Sequence, residues 1–187
     1  MNKLIIDTAS KNLYVALVND TIKEIHVVGK NHAQVLMKHI DTVLGNLSID
    51  DIDEIIVGVG PGSYTGVRVA VTIAKMLSWT KNIPLREVSS LYIQVSGYDG
   101  LKSSMIDARR QNAFCASFDD TKIVVEEMLR EIGEFKEIAL GKIYTEDDFK
   151  ANPIKIIEAS KVVSNVHGLV PNYLRKTEAE RNKENAN

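Results

Sequence analysis

Three short apolar runs open the chain. Leu4-Ile5-Ile6 ends in Asp7, Leu13 to Val18 follows, and Ile22 to Val28 alternates apolar with polar. Runs of this length, bounded by turn residues such as Asn19-Asp20, read as strands. From Asn31, which caps it, a helical pattern runs to about Leu47. Asp53 to Val59 reads as a strand and Gly66 to Thr80 as a helix. Leu85 to Val88 is a short strand behind Pro84, and Ser89-Ser90 starts a further helix to about Ser96. Gly97-Tyr98-Asp99-Gly100 is the strongest boundary signal.

Past that boundary the opening pattern recurs. A shift of one hundred residues pairs Asp7 with Asp107, Asn12 with Asn112, Ala16 with Ala116 and Asp20 with Asp120. Each half opens with a strand, an Asp at its end, a turn and a second strand, which reads as an internal duplication. Two lobes are expected, over residues 1–98 and 101–176, with a frayed polar tail at 177–187. The second half is lean: a strand near Ile138-Ala139-Leu140, a helix after Thr145 and a mixed segment from Ile154 to Val166. Strands followed by alternating helices and strands predict an α/β fold, a mixed sheet with crossover helices. The two Asp carboxylates would face a shared cleft.

The two long helical segments carry more apolar surface than one sheet requires. In Gly66 to Thr80, Arg68, Thr72, Lys75 and Ser78 make one narrow polar stripe; Val69, Ala70, Ile73, Ala74 and Leu77 are among the apolar remainder. The segment from Asn31 sets Leu36, Ile40, Val43 and Leu47 beside Ala33, Met37, Ile40 and Leu44. A helix lying on its own sheet needs about one third of its circumference apolar. Each segment therefore reads as burying a second face, against its own chain or against a partner.

Between the fourth strand and the second helix lies Gly58-Val59-Gly60-Pro61-Gly62-Ser63-Tyr64-Thr65-Gly66. Strand, glycine turn, helix is an arrangement that brings backbone N–H groups to a phosphate. The Lys-Ser/Thr pair of a P-loop is missing, because Val67-Arg68 follows Gly66. Ser63 stands where a dinucleotide fingerprint needs glycine. Gly60, Gly62, Ser63, Thr65, Gly66 and Arg68, with Asp7 and Asp107, are the candidate nucleotide or anion contacts. Ser63 and Thr65 also read as helix caps, Asp7 as a turn former and Asp107 beside Arg109 and Arg110 as a surface ion pair.

The chain has 187 residues, 44 % of them apolar, and a formal net charge of −2. No basic excess is available to hold nucleic acid unaided. One cysteine, Cys115, excludes an internal disulfide and reads as a buried, inert thiol. Neither a charged leader nor a run near the ~20 apolar residues of a membrane span is present, so a soluble cytoplasmic protein is expected.

Several segments then fall in a familiar order. They are Ile6-Asp7-Thr8-Ala9, His32-Ala33-Gln34, Gly60 through Arg68, Ala74-Lys75, Val88-Ser89-Ser90-Leu91, Ile106-Asp107-Ala108-Arg109-Arg110 and Pro171-Asn172-Tyr173-Leu174-Arg175. Together they resemble the TsaB (YeaZ) family of bacterial threonylcarbamoyladenosine biosynthesis, over about residues 3–118 and again near 171–175. The region between looks shorter than the family's. The resemblance implies the actin-like (ASKHA) fold, two ribonuclease-H-like lobes with the second reduced. It implies a non-catalytic scaffold or activator that pairs with a TsaD-like threonylcarbamoyltransferase and a TsaE-like ATPase. Such a complex modifies N6 of the tRNA adenosine next to the anticodon. The expected docking face is Ala33, Leu36, Met37, Ile40, Val43, Leu44, Val69, Ala70, Ile73, Ala74 and Leu77. Alone the chain is expected to form a homodimer; tRNA would be reached only through the complex, with no membrane involved. No metal or cofactor of its own is expected, and the complex interface is left open as a place for ATP or ADP. The metal-binding HxxxH of TsaD is not matched: His32 and His39 stand seven apart, about 10 Å along a helix. The alternative is a minimal actin-like ATPase or kinase using Asp7 and Asp107. A metalloprotease relative is weaker, for the same histidine spacing.

Overall fold

The computed structural model describes residues 1–29 and 32–174. The cap Asn31, the Ala33 side chain, Arg175 and the tail 177–187 lie outside the described residues.

The first sheet has six strands, β1 (Lys3–Asp7), β2 (Asn12–Val18), β3 (Ile22–Val28), β4 (Glu54–Gly58), β5 (Leu85–Val88) and β10 (Lys161–Val162), in the order β10-β5-β4-β1-β2-β3. β1, β2 and β3 form an antiparallel meander, while β4 lies parallel to β1 and β5 parallel to β4. The second sheet runs β8-β7-β6-β9, built from β6 (Leu101–Asp107), β7 (Asn112–Asp119), β8 (Lys122–Glu131) and β9 (Lys142–Tyr144). It repeats the first: an antiparallel meander, then a strand parallel to the one that opens it. The α/β architecture with mixed sheets is as the sequence pattern led one to expect.

Alternation along each strand sets the layers, because successive side chains point to opposite faces. Leu4, Ile6, Leu13, Val15, Leu17, Ile55 and Val57 face one core, under α1 (His32–Leu44) and α2 (Tyr64–Lys81). Ile5, Tyr14, Ala16 and Ile56 face the other way. There they meet α3 (Ser90–Val95), Ile156 of α5 (Pro153–Ala159), and Ile106, Phe114, Ala116 and Phe118 of the second sheet. The remaining face of that sheet, with Met105, Ala113 and Cys115, is covered by Phe135 of α4 (Ile132–Ile138). Both strands of the first hairpin are buried on both faces, so they read as continuous apolar runs. β3, at the edge, is mostly exposed and alternates.

Three readings differ from the structure. Ile138 closes α4, and the strand lies further on at Lys142–Tyr144. Glu146–Asp148 makes only a tight helical turn, fixed by Thr145 at its start, where a helix was expected. Lys161 and Val162, placed by sequence in the second lobe, pair antiparallel with β5 and extend the first sheet. The segment after them, residues 165–174, lies as a strap along the outside of α2.

Candidate functional site

The glycine loop is closed by the chain itself. Leaving β4, it crosses the turn that joins β1 to β2. The Ser63 N–H donates to the Ala9 carbonyl at 2.6 Å, and the Thr8 hydroxyl donates to the Gly66 carbonyl at 2.7 Å. A Cβ on Gly62 would stand 2.2 Å from the Ala9 oxygen, and one on Gly66 2.0 Å from the Thr8 oxygen. The glycines therefore admit a neighbouring backbone where a phosphate loop admits its ligand. Ser63 caps α2 by accepting the Gly66 N–H at 3.4 Å, its simpler expected role, while Thr65 is exposed in the first turn. The Gly60 N–H goes to the Ser90 hydroxyl at 3.0 Å.

Ser90 links this loop to Asp7. Its hydroxyl donates to Asp7 Oδ1 at 2.6 Å, and the Thr8 and Ala9 amides also reach that carboxylate. Asp7 is 2 % exposed. Burial disfavours the charged form and raises its pKa to about 6, against the pull of those hydrogen bonds. Asp107, its partner in the repeat, is exposed, and its carboxylate accepts the Arg109 N–H at 2.8 Å. The structure gives the two carboxylates separate partners in place of the expected shared cleft, because one is enclosed by the glycine loop and the other is not. The hairpins that carry them do meet. Glu146 accepts the Lys11 N–H at 3.0 Å and the Asp107 N–H at 3.1 Å, one on each oxygen.

Arg68 holds the strap. Its guanidinium lies 3.9 Å from the centre of the Tyr64 ring and donates to the Tyr173 hydroxyl at 2.8 Å. Lys75 donates to the His167 and Leu169 carbonyls at 2.9 and 2.8 Å, and Trp79 packs edge-on against His167. Much of the polar stripe of the second helix thus serves an internal segment. Asn172 fastens the strap to both halves of the chain: its N–H donates to the Val59 carbonyl at 2.8 Å and its amide to Glu127 Oε2 at 2.6 Å. Burial raises the Glu127 carboxyl above its ordinary range, with the Ser89 hydroxyl and Asn172 opposing. Glu127 was not singled out from sequence, and Thr8, Ser90 and Asn172 entered only within the segments that carry the resemblance, with no role given to their side chains. Ser and Asn carry no periodic signal, and their partners are remote in the chain.

Most of the expected docking face is internal. Leu36, Ile40, Val43 and Leu44 of α1, with Ala70, Ala74 and Leu77 of α2, are buried in the chain's own first core. The apolar excess of both helices is explained there, because α1 and α2 lie side by side on one sheet face. Val69 and Ile73 are half-buried at its rim, while Met37 and Met76 are exposed, at 46 % and 49 %. His32 is buried and bonds the Lys11 carbonyl at 3.0 Å; His26 bonds Asn12 at 2.8 Å and stacks on Phe149. Among the described residues, no three His, Cys, Asp or Glu side chains are grouped to hold a metal ion. Cys115 is buried, and burial pushes its thiol up to about 11.

A family model for TsaD, tRNA N6-adenosine threonylcarbamoyltransferase, matches residues 21–145. The tRNA threonylcarbamoyladenosine biosynthesis protein TsaB of Bacillus subtilis is 33 % identical, over 96 % of this chain and 96 % of its own. The chain belongs to the TsaB family. That alignment runs over 223 positions, more than the 187 residues here, so the Bacillus TsaB carries insertions relative to this chain. TsaB of Escherichia coli is 35 % identical over 101 residues, 52 % of this chain and 44 % of its own. YeaZ from Pseudomonas aeruginosa superposes with a TM-score of 0.65 at 25 % identity, over 69 % of this chain and 67 % of that one. A protein described as similar to peptidase YeaZ shares the fold over 93 % of this chain and 99 % of its own, with a TM-score of 0.78 at 19 % identity. Among the described residues, no helix is long and apolar enough to cross a membrane.

Proposed function

We propose that this TsaB-family chain is a non-catalytic, cytoplasmic subunit in the synthesis of tRNA threonylcarbamoyladenosine. It pairs with a TsaD-like threonylcarbamoyltransferase, works with a TsaE-like ATPase and meets tRNA only in that complex. The observation that carries this reading is the closed glycine loop, with Thr8 and Ala9 backbone against Gly66 and Gly62, in a chain 33 % identical along nearly its whole length to a TsaB. A loop filled by its own chain leaves little room for a nucleotide there, so ATP or ADP belongs at the partner interface. The match of residues 21–145 to the TsaD model supports the reading that the partner is a homologue of this chain. One face can then serve a homodimer when the chain is alone and a heterodimer when the partner is present.

Docking falls to the outward rim of the two long helices: Met37 on α1, and Val69, Ile73 and Met76 on α2. A stable interface covers about 800 Å² per partner, so these side chains would be its apolar centre. Pairing then acts by favouring the partner's active state. Met76→Glu places a charge on an exposed position and is expected to leave the folded monomer within about 0.5 kcal/mol of the parent. Solution mass should then show loss of self-association and of pairing with the host's TsaD-like protein. Undiminished pairing would move the interface elsewhere, and a parent chain that stays monomeric and ignores that protein would overturn the scaffold reading.

The second reading, a minimal actin-like ATPase or kinase, is favoured by the buried Asp7 at the end of β1. It requires magnesium-dependent nucleotide turnover by the isolated chain that is lost with Asp7→Asn.

A further inference from the structure

Two of the three cations of α2 are satisfied within the chain. Lys75 donates to two carbonyls of the strap, and Lys81 is paired with Asp50 at 2.7 Å. Arg68 is exposed, and among the described residues no carboxylate lies within ion-pair distance of it. It is nevertheless held still. Its Nε donates to the Tyr173 hydroxyl, and its guanidinium lies over the Tyr64 ring and 5.7 Å from the centre of the Tyr173 ring. The two rings, 5.2 Å apart, are themselves 44 % and 42 % exposed. Fixing a long surface side chain costs rotamer entropy. A group already fixed in its binding geometry does not lose that entropy again when a partner arrives.

The cluster continues the docking rim. Tyr64, Arg68, Thr72 and Met76 follow at four-residue spacing, which puts them on one face of α2. Met76 stands about 12 Å from Arg68 along the axis, at a rise of about 1.5 Å per residue. Tyr and Arg are enriched among the few residues that carry most of the energy of an interface. The charge on this face is one-sided. Neither α2 nor residues 165–174 contains an Asp or a Glu, and α1 adds Lys38 and Asp41, which offset each other. A two-fold homodimer sets the same patch against itself, so α2 and the strap of a second copy offer Arg68 no carboxylate. A different chain is free to supply one.

We propose that, in the pairing described above, Arg68 is the residue that tells the TsaD-like partner from a second copy of this chain, its guanidinium taking an Asp or Glu carboxylate of that partner. Tyr173 takes Nε, so the two terminal nitrogens are the side of the fork for the carboxylate. Two parallel N–H bonds then reach both carboxylate oxygens. Covered by the partner, such a pair contributes far more than an exposed one. The rim of Met37, Val69, Ile73 and Met76 gives adhesion to either chain, and Arg68 gives the choice between them.

The test is sedimentation of the full chain, alone and with the host's TsaD-like protein. Binding of the parent to that protein decides the pairing reading itself, and without it the anchor falls too. Given binding, Arg68→Gln should weaken the heteromeric complex about tenfold or more, as loss of a hot-spot residue does. Self-association of the same variant should stay within about threefold of the parent, as for an ordinary surface substitution. Arg68→Lys keeps the charge without the fork and should recover only part of the loss. Tyr173→Phe removes the hydrogen bond to the strap, keeps the guanidinium and should cost less than Arg68→Gln. An undiminished heteromeric complex, or equal losses in the two assemblies, would overturn the anchor. So would a loss in Tyr173→Phe as large as in Arg68→Gln, which would reduce Arg68 to a fastener of the strap. Should Arg68→Gln fail to fold, Arg68→Lys carries the comparison.

Discussion

Replacing Gly66 with alanine is expected to destabilise the chain by about 4 kcal/mol or more, although alanine is the better helix former. In an open helical position the same change stabilises by up to about 1 kcal/mol. Here the new Cβ would stand 2.0 Å from the Thr8 carbonyl oxygen, a contact with backbone and not with a flexible side chain. Thr8 has no room to yield. It is fully buried, its hydroxyl is bonded to the Gly66 carbonyl, and its neighbour Asp7 is held by Ser90. Overpacking alone costs about 1–3 kcal/mol, and separating the Thr8 and Gly66 segments forfeits buried hydrogen bonds worth about 1 kcal/mol each. For a chain of this size that is a fall in Tm of about 8–16 °C. Gly133, in the first turn of α4, has nothing within 4 Å of its added Cβ. Gly133→Ala should raise Tm slightly. Thermal unfolding of the two variants beside the parent checks both signs, and a rise for Gly66→Ala would mean that loop and hairpin do not touch as described.

This contact also shows where the sequence was legible and where it was not. The loop announces itself through its glycines, but a glycine needed for a phosphate and one needed for a neighbouring backbone look alike. Only the fold brings Thr8 and Ala9, more than fifty positions earlier, against Gly66 and Gly62. The helices raise the same difficulty in another form. Their apolar excess was visible, yet Leu36, Ile40, Ala70 and Ala74 are buried by the same chain, and nothing in periodicity distinguishes a second helix from a second subunit. The first lobe's strands were readable because β1, β2 and β4 are buried on both faces and contain little else but apolar residues. β8 was missed although it is ten residues long. It is an edge strand with no fully buried residue and half of its residues charged, three of them Glu, and register shifts opposite Cys115, Ser117 and Phe118 break its alternation. The hundred-residue repeat held the missing signal. Shifting β3 by one hundred gives 122–128, inside β8, and shifting the start of α1 gives 132, where α4 begins.

At pH 7, Asp7→Asn is expected to stabilise the chain by about 1–3 kcal/mol. The carboxyl of Asp7 has its pKa raised from 3.8 to about 6 because burial penalises the charge more than Ser90, Thr8 and Ala9 compensate it. A carboxyl with a raised folded-state pKa keeps its proton longer when folded than when unfolded. Below about pH 4 both states are protonated and the group costs nothing. Between about pH 4 and 6 the unfolded chain ionises first, so stability falls as pH rises. Above about pH 6 the cost is constant, near 3 kcal/mol for about two pKa units at 1.36 kcal/mol each. Asparagine cannot ionise and keeps an oxygen for the hydrogen bonds, while its new N–H group reduces the gain where it lacks an acceptor. Urea unfolding at a series of pH values should show the parent losing stability between pH 4 and 6 relative to the variant, with the two converging at pH 4. A variant that is less stable at every pH, with an unchanged slope, would mean that the folded chain holds Asp7 ionised and that its hydrogen bonds outweigh its burial. The expected result has a consequence for function. An acid that costs stability where an amide would not would point to a use of Asp7 other than folding. The same variant should then be assayed for pairing with the TsaD-like protein and for tRNA modification by the assembled complex, where a loss despite the gain in stability would place Asp7 and Ser90 in the working state of the subunit.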